Sequence, residues 1–173
     1  HRRLHISAPD DYYILLNSDD ARVNDQYSTV WNSTAPTATE FTLGTYSQVN
    51  ANGGNYVAYI FAHDDQSFGT DGDEAIIECG NYIGSGSEPL NISLGFEPQW
   101  LMIKRADGGT QNWRIFDIAR GIASNNADHV LFPNVNIDEQ DSNDFLNVTP
   151  SGFTLTETNT TVNGSGDNYI YIA

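Results

Sequence analysis

The chain has 173 residues and a formal charge of −16, because 23 Asp and Glu face only 7 Lys and Arg. That balance argues against nucleic acid as a partner, since displacing counterions from phosphates takes clustered basic side chains, and it disfavours anionic membrane surfaces. No apolar run reaches the roughly 18 residues of a membrane span, so insertion is not expected, and the lone cysteine, Cys79, rules out an internal disulfide framework or a Cys-based zinc site.

Nearly every apolar run is short, rich in β-branched or aromatic residues, and bounded by Gly, Asn, Asp, Ser or Pro, which is strand punctuation. In chain order the predicted strands are YYILLN (12–17), EFTLG (40–44), NYVAYIFAH (55–63), AIIECGNYIG (75–84), LNISLG (90–95), QWLMIKRA (99–106), NWRIFDIA (112–119), HVLFP (129–133), GFTLT (152–156) and NYIYIA (168–173). In the third, Tyr56, Ala58, Ile60 and Ala62 share one face and Val57, Tyr59 and Phe61 the other. Both faces are apolar, so Tyr59 and Ile60 are expected in a core, as are Ile170 and Ile172 of the last strand. Hairpin-type turns are read at 51–55, 106–112 and 163–168, where Gly and Asn tolerate positive φ. Short helical turns are expected near 22–31 and 138–146. Cys79, inside the run AIIECGNY, reads as a small buried hydrophobe.

The chain also repeats itself. VNANGGNYVAYIFA (49–62) is answered by VNGSGDNYIYIA (162–173), TAPTATEFTLG (34–44) by VTPSGFTLT (148–156), and DDYYILLN (10–17) by ADHVLFPN (127–134), at offsets of about 112–117 residues. This period is far longer than the roughly 20–50 residues of a solenoid unit. The fold class expected is therefore all-β: antiparallel β-sandwich-like units in a tandem pseudo-repeat. The boundaries are 1–63 for the first, N-terminally truncated unit, 64–74 for an acidic linker, and 75–173 for the second unit. The second copy carries strands over 75–116 that have no counterpart in the first. His1 falls opposite Asp117, and both ends read as cuts through a longer polypeptide.

Five carboxylates, Asp64, Asp65, Asp71, Asp73 and Glu74, crowd the linker and form the candidate metal site. Calcium takes hard oxygens, and flexible Asp-Gly loops supply them, although the spacing is not that of an EF-hand. The bland alternative is a solvated linker with no cofactor; the run 138–144 has a weaker claim on an ion. The histidines, at 1, 5, 63 and 129, form no metal-binding motif, and there is no serine-hydrolase elbow or phosphate-binding loop. Enzymatic activity is not expected. Of the tryptophans, Trp100 and Trp113 sit inside predicted strands and read as core. Trp31, in the loop-like TVWNSTAP, reads as exposed. With Tyr27, Tyr46 and the 106–112 loop it makes the candidate interaction surface. Sequons at Asn32, Asn91, Asn147, Asn159 and Asn163 matter only where secreted proteins are glycosylated.

The phrase GFEPQWLMIKR (Gly95–Arg105), a Gly-rich turn, NWRIFD (Asn112–Asp117), LFPN (Leu131–Asn134), GFTL (Gly152–Leu155) and YIYIA (Tyr169–Ala173) together resemble a domain of unknown function found in tailed-phage and metagenomic viral proteins, often tail or tail-fibre chains. LLN, WNSTAPTATEFTLG and VNANGGNYVAYIFAHD in the first half resemble the latter part of the same pattern. The resemblance implies no catalytic residues. It implies a virion structural or adhesive module, virion-borne or extracellular and oligomeric, contacting copies of itself, other virion proteins or host-surface glycans. A carbohydrate-binding module of a larger secreted or viral protein is the alternative.

Overall fold

The computed structural model describes residues 11–61, 67–122 and 127–173. These separate into two units: one joins the segment ending at Leu15 to Arg22–Ile60, and the other joins Leu16–Ala21 to Phe61–Ala173.

In the smaller unit, strand β1 (Tyr12–Tyr13) pairs antiparallel with β2 (Val23–Asn24), and α1 (Ser47–Asn50) is a single helical turn. A buried carboxylate organises it. Asp25 is only 6% exposed and accepts the Thr29 amide at 2.8 Å, the Thr29 hydroxyl at 2.7 Å and the Val30 amide at 2.6 Å. Burial alone would raise its pKa, but these bonds hold the carboxyl below its ordinary value. They also explain why the helical turn expected near 22–31 does not form: the side chain takes amides that a helix would use. Gly44 closes against this loop. Its amide donates to Val30 O at 2.7 Å, and a Cβ there would lie 2.2 Å from Thr29 O.

Two strands predicted in this unit are absent. Residues 40–44 and 55–61 carry no strand, and Tyr59 and Ile60, expected in a core, are 85% and 76% exposed. The cause is missing neighbours. A strand needs partners for its backbone N–H and C=O groups, and the first half has no segments matching those that flank the corresponding strand in the second.

The larger unit supplies them. Its strands are β3 (Cys79–Ile83), β4 (Leu90–Ser93), β5 (Trp100–Arg105), β6 (Arg114–Asp117), β7 (Asp128–Val130), β8 (Gln140–Asn143), β9 (Leu146–Thr149), β10 (Gly152–Leu155) and β11 (Asn168–Ile172). They form a four-stranded sheet, β3-β11-β5-β6, a three-stranded sheet, β4-β10-β9, and the pair β7-β8, with antiparallel pairing throughout. The fold is all-β. β8 replaces the helical turn expected over 138–146, because its backbone is paired to β7.

Period-two alternation sorts the side chains of the two larger sheets. Tyr82, Tyr169, Tyr171, Leu101, Ile103 and Phe116 face inward from the first, and Phe153, Leu155 and Leu146 from the second, all within one buried cluster. Tyr82 stacks on Tyr169 with centroids 4.9 Å apart, and Phe153 meets the Tyr171 ring edge-on at 5.8 Å. Aromatic contacts therefore bridge the sheets of a sandwich. Tyr82 Oη donates to Val162 O at 2.7 Å and Tyr169 Oη to Thr160 O at 2.8 Å, so both of these buried phenols have partners. Gly80 is required opposite Tyr171, whose ring a Cβ would approach to 2.2 Å. Ile170 is buried as expected, whereas Ile172 and Cys79 are half-buried.

The outer face of β5 carries Lys104, 1% exposed. Its Nζ donates to Asp19 O at 3.1 Å and Arg105 O at 2.9 Å, and Asp19 O also accepts the Gln111 amide. This ties the segment 16–21 to the sheet. Burial lowers the Lys104 pKa from 10.5 to about 8, against the opposing pull of Asp19. Between those values the unfolded chain holds more protons than the native one, so this group's contribution to stability rises with pH in that window. Melting curves across it should therefore show the parent chain gaining on Lys104→Met as pH rises; parallel curves would contradict the assignment.

Candidate functional site

The four-stranded sheet ends in a groove. β5 begins at Trp100, and with Leu101 and Ile103 pointing inward, alternation turns Trp100 out, 39% exposed. This corrects the expectation that Trp100 is core. The signal was present in QWLMIKRA, where Trp100, Met102 and Lys104 share a face and the lysine marks it as the outer one. The turn after Gly95, whose φ is 86°, brings Phe96, Glu97 and Gln99 beside Trp100. Phe61, Ile76 and Ile77 complete the apolar wall, and Glu74 and Ala173 close it, around about 510 Å³. The Glu78 and Ala173 backbones exchange hydrogen bonds of 3.0 and 2.8 Å, so β11 and the approach to β3 form its floor. Phe61 and Ile76 are 53% and 54% exposed. The groove thus combines ring and aliphatic surface with two carboxylates and an amide. That is a binding arrangement, suited to stacking and to reading hydroxyls or amides.

The other predicted residues are placed apart from it. Trp31 is half-buried in the smaller unit, its Nε1 donating to Tyr12 O at 3.1 Å. Tyr46 is half-buried too, its amide bonded to Thr29 O and its ring 6.3 Å from that of Tyr13. Tyr27 is 79% exposed. The 106–112 loop is pinned at its start: Asp107 Oδ1 accepts the Asn168 amide at 3.0 Å, and Arg105 bonds Asp167 at 2.7 Å. Of the acidic stretch, Asp64 and Asp65 lie outside the described residues. Phe68 and Glu74 pair across a tight turn with Asp71 and Asp73 exposed at its tip. Among the described residues, no three His, Cys, Asp or Glu side chains come together as a metal-binding group. His129 takes part in a surface network: its Nδ1 lies 2.7 Å from Glu139 Oε1, and Arg120 bonds Glu139 at 2.8 Å. Hydrogen bonding to His129, and then to Arg120, lowers the Glu139 pKa.

A family model described as a domain of unknown function (DUF7483) matches residues 1–173. The chain belongs to that family. No curated protein and no solved structure matches it, so the chemistry of this DUF7483 chain rests on its own surfaces. Among the described residues, no helix is long and apolar enough to cross a membrane.

The tryptophans separate core from surface. Trp113, 5% exposed, should lose about 3–5 kcal/mol as Trp113→Ala, while Trp100→Ala should cost about 1 kcal/mol or less. Midpoints of urea unfolding measure both, and equal losses would contradict this placement of the rings.

Proposed function

We propose that this DUF7483 chain is a non-catalytic β module of a viral tail, tail fibre or surface protein, working by contact with copies of itself or with other proteins of the particle. The observation that carries this reading is the run 56–61. Val57, Tyr59 and Ile60 are 80%, 85% and 76% exposed, in a stretch without secondary structure whose sequence matches the central strand β11. Large exposed apolar stretches mark interaction sites, and an extended segment with strand sequence suits pairing with a strand of another chain. The acidic surface keeps such a module soluble until the matching surface is met. The resemblance to tail-associated domains supports the setting.

The test is self-association. The parent chain should gain molar mass with concentration in light scattering. Val57→Ser with Ile60→Ser should stay monomeric with unchanged circular dichroism and melting, because neither side chain belongs to a core. A parent chain that stays monomeric at every concentration reached would contradict the reading.

The groove at Trp100 favours carbohydrate binding as a second reading. Rings at Trp100, Phe96 and Phe61 supply stacking faces, and Glu97, Gln99 and Glu74 supply acceptors around them. Glycan-array binding abolished by Trp100→Ala, with self-association intact, would select it.

A further inference from the structure

We propose that Asp128 and Asp144 bind a single calcium ion within the larger unit. Asp128 opens β7 and is 1% exposed. Its Oδ2 accepts the amides of Phe145 at 2.7 Å and Leu146 at 3.0 Å. Its Oδ1 is buried with no hydrogen-bond partner among the described residues, and so is Oδ1 of Asp144. The Phe145 nitrogen held by Asp128 is the one joined to the Asp144 carbonyl carbon, so the Asp144 side chain springs from the backbone beside that bond. Two neighbouring carboxylates thus each turn an oxygen away from water with no donor among the described residues to meet it.

Buried polar atoms in folded chains are matched, and where protein groups do not match them a water or an ion does. The cationic side chains of this region are bound elsewhere, apart from the Arg114 Nε, which is buried without a partner among the described residues. Arg120 is held by Asp117 and Glu139, and His129 by Glu139. Arg114 lies over the rings of Phe132 and Phe145 and donates to Asn112 O. Asp25 provides an internal comparison. It also grips two successive amides, those of Thr29 and Val30, but the Thr29 hydroxyl and the Trp31 amide supply further donors, so both of its oxygens are met within the chain. Among the described residues, Asp128 receives no such hydroxyl. A divalent ion balances two carboxylates, and an all-oxygen donor set selects a hard cation such as calcium over zinc or copper, with backbone carbonyls and water filling the remaining positions.

The experiment uses the full chain stripped of metal with chelator. Calorimetric titration with CaCl2 should show one site per chain, and saturation should raise Tm by roughly 5 °C. Asp144→Asn should melt cooperatively in chelator and bind calcium at least about tenfold more weakly. Asp128→Asn, whose amide NH2 can serve as the missing donor, should fold and lose the calcium-dependent shift. Asp71→Asn with Asp73→Asn should bind as the parent does. No heat and no Tm shift in the parent chain overturns the proposal, as does a shift that survives both Asp128→Asn and Asp144→Asn or disappears in the Asp71/Asp73 variant.

Discussion

The larger unit depends on a strand having a neighbour on each side and a sheet having another sheet to face. β11 meets both conditions: it is hydrogen-bonded to β3 on one side and β5 on the other. Tyr169 and Tyr171 project from it into the space that Phe153 and Leu155 of the opposing sheet fill. Its backbone is satisfied by pairing and its side chains by burial, so sequence pattern and environment agree. In the smaller unit a matching sequence meets neither condition and stays out in solvent. Amphipathic pattern is permission to form a strand, and partners decide whether it does.

This is also why some of the structure was legible in the chain and some was not. The all-β class, most strands of the second half, and the buried positions Trp113 and Ile170 follow from period-two alternation and turn residues, which are local signals. Pairing order is not local: nothing in GFTLT alone places β10 between β4 and β9. The repeat is legible as letters, but it does not carry over to strands at 40–44 and 55–61, because the same letters meet different neighbours there. The Trp100 error was one of phase, since counting outward from Leu101 places the ring on the outer face. The orphaned oxygens of Asp128 and Asp144 had no sequence signal, because they depend on which amides approach each carboxylate.

Both units use a buried aspartate to hold successive amides of an irregular segment. Asp25 does so with every oxygen matched, and Asp128 with one left over. Such carboxylates add fixed local structure where strands are too short to supply it. Each unit leaves apolar surface uncovered: the Trp100 groove in the larger, and the run 56–60 in the smaller.

Amide hydrogen exchange compares the two matched sequences directly. In the isolated chain under native conditions, the amides of residues 169–172 should be strongly protected, exchanging only through global opening, while those of 57–60 exchange near their intrinsic rates. In the assembled state 57–60 should gain protection and 169–172 should be unchanged. Equal protection of the two segments in the isolated, monomeric chain would contradict the claim that neighbours, and not strand sequence, separate their fates.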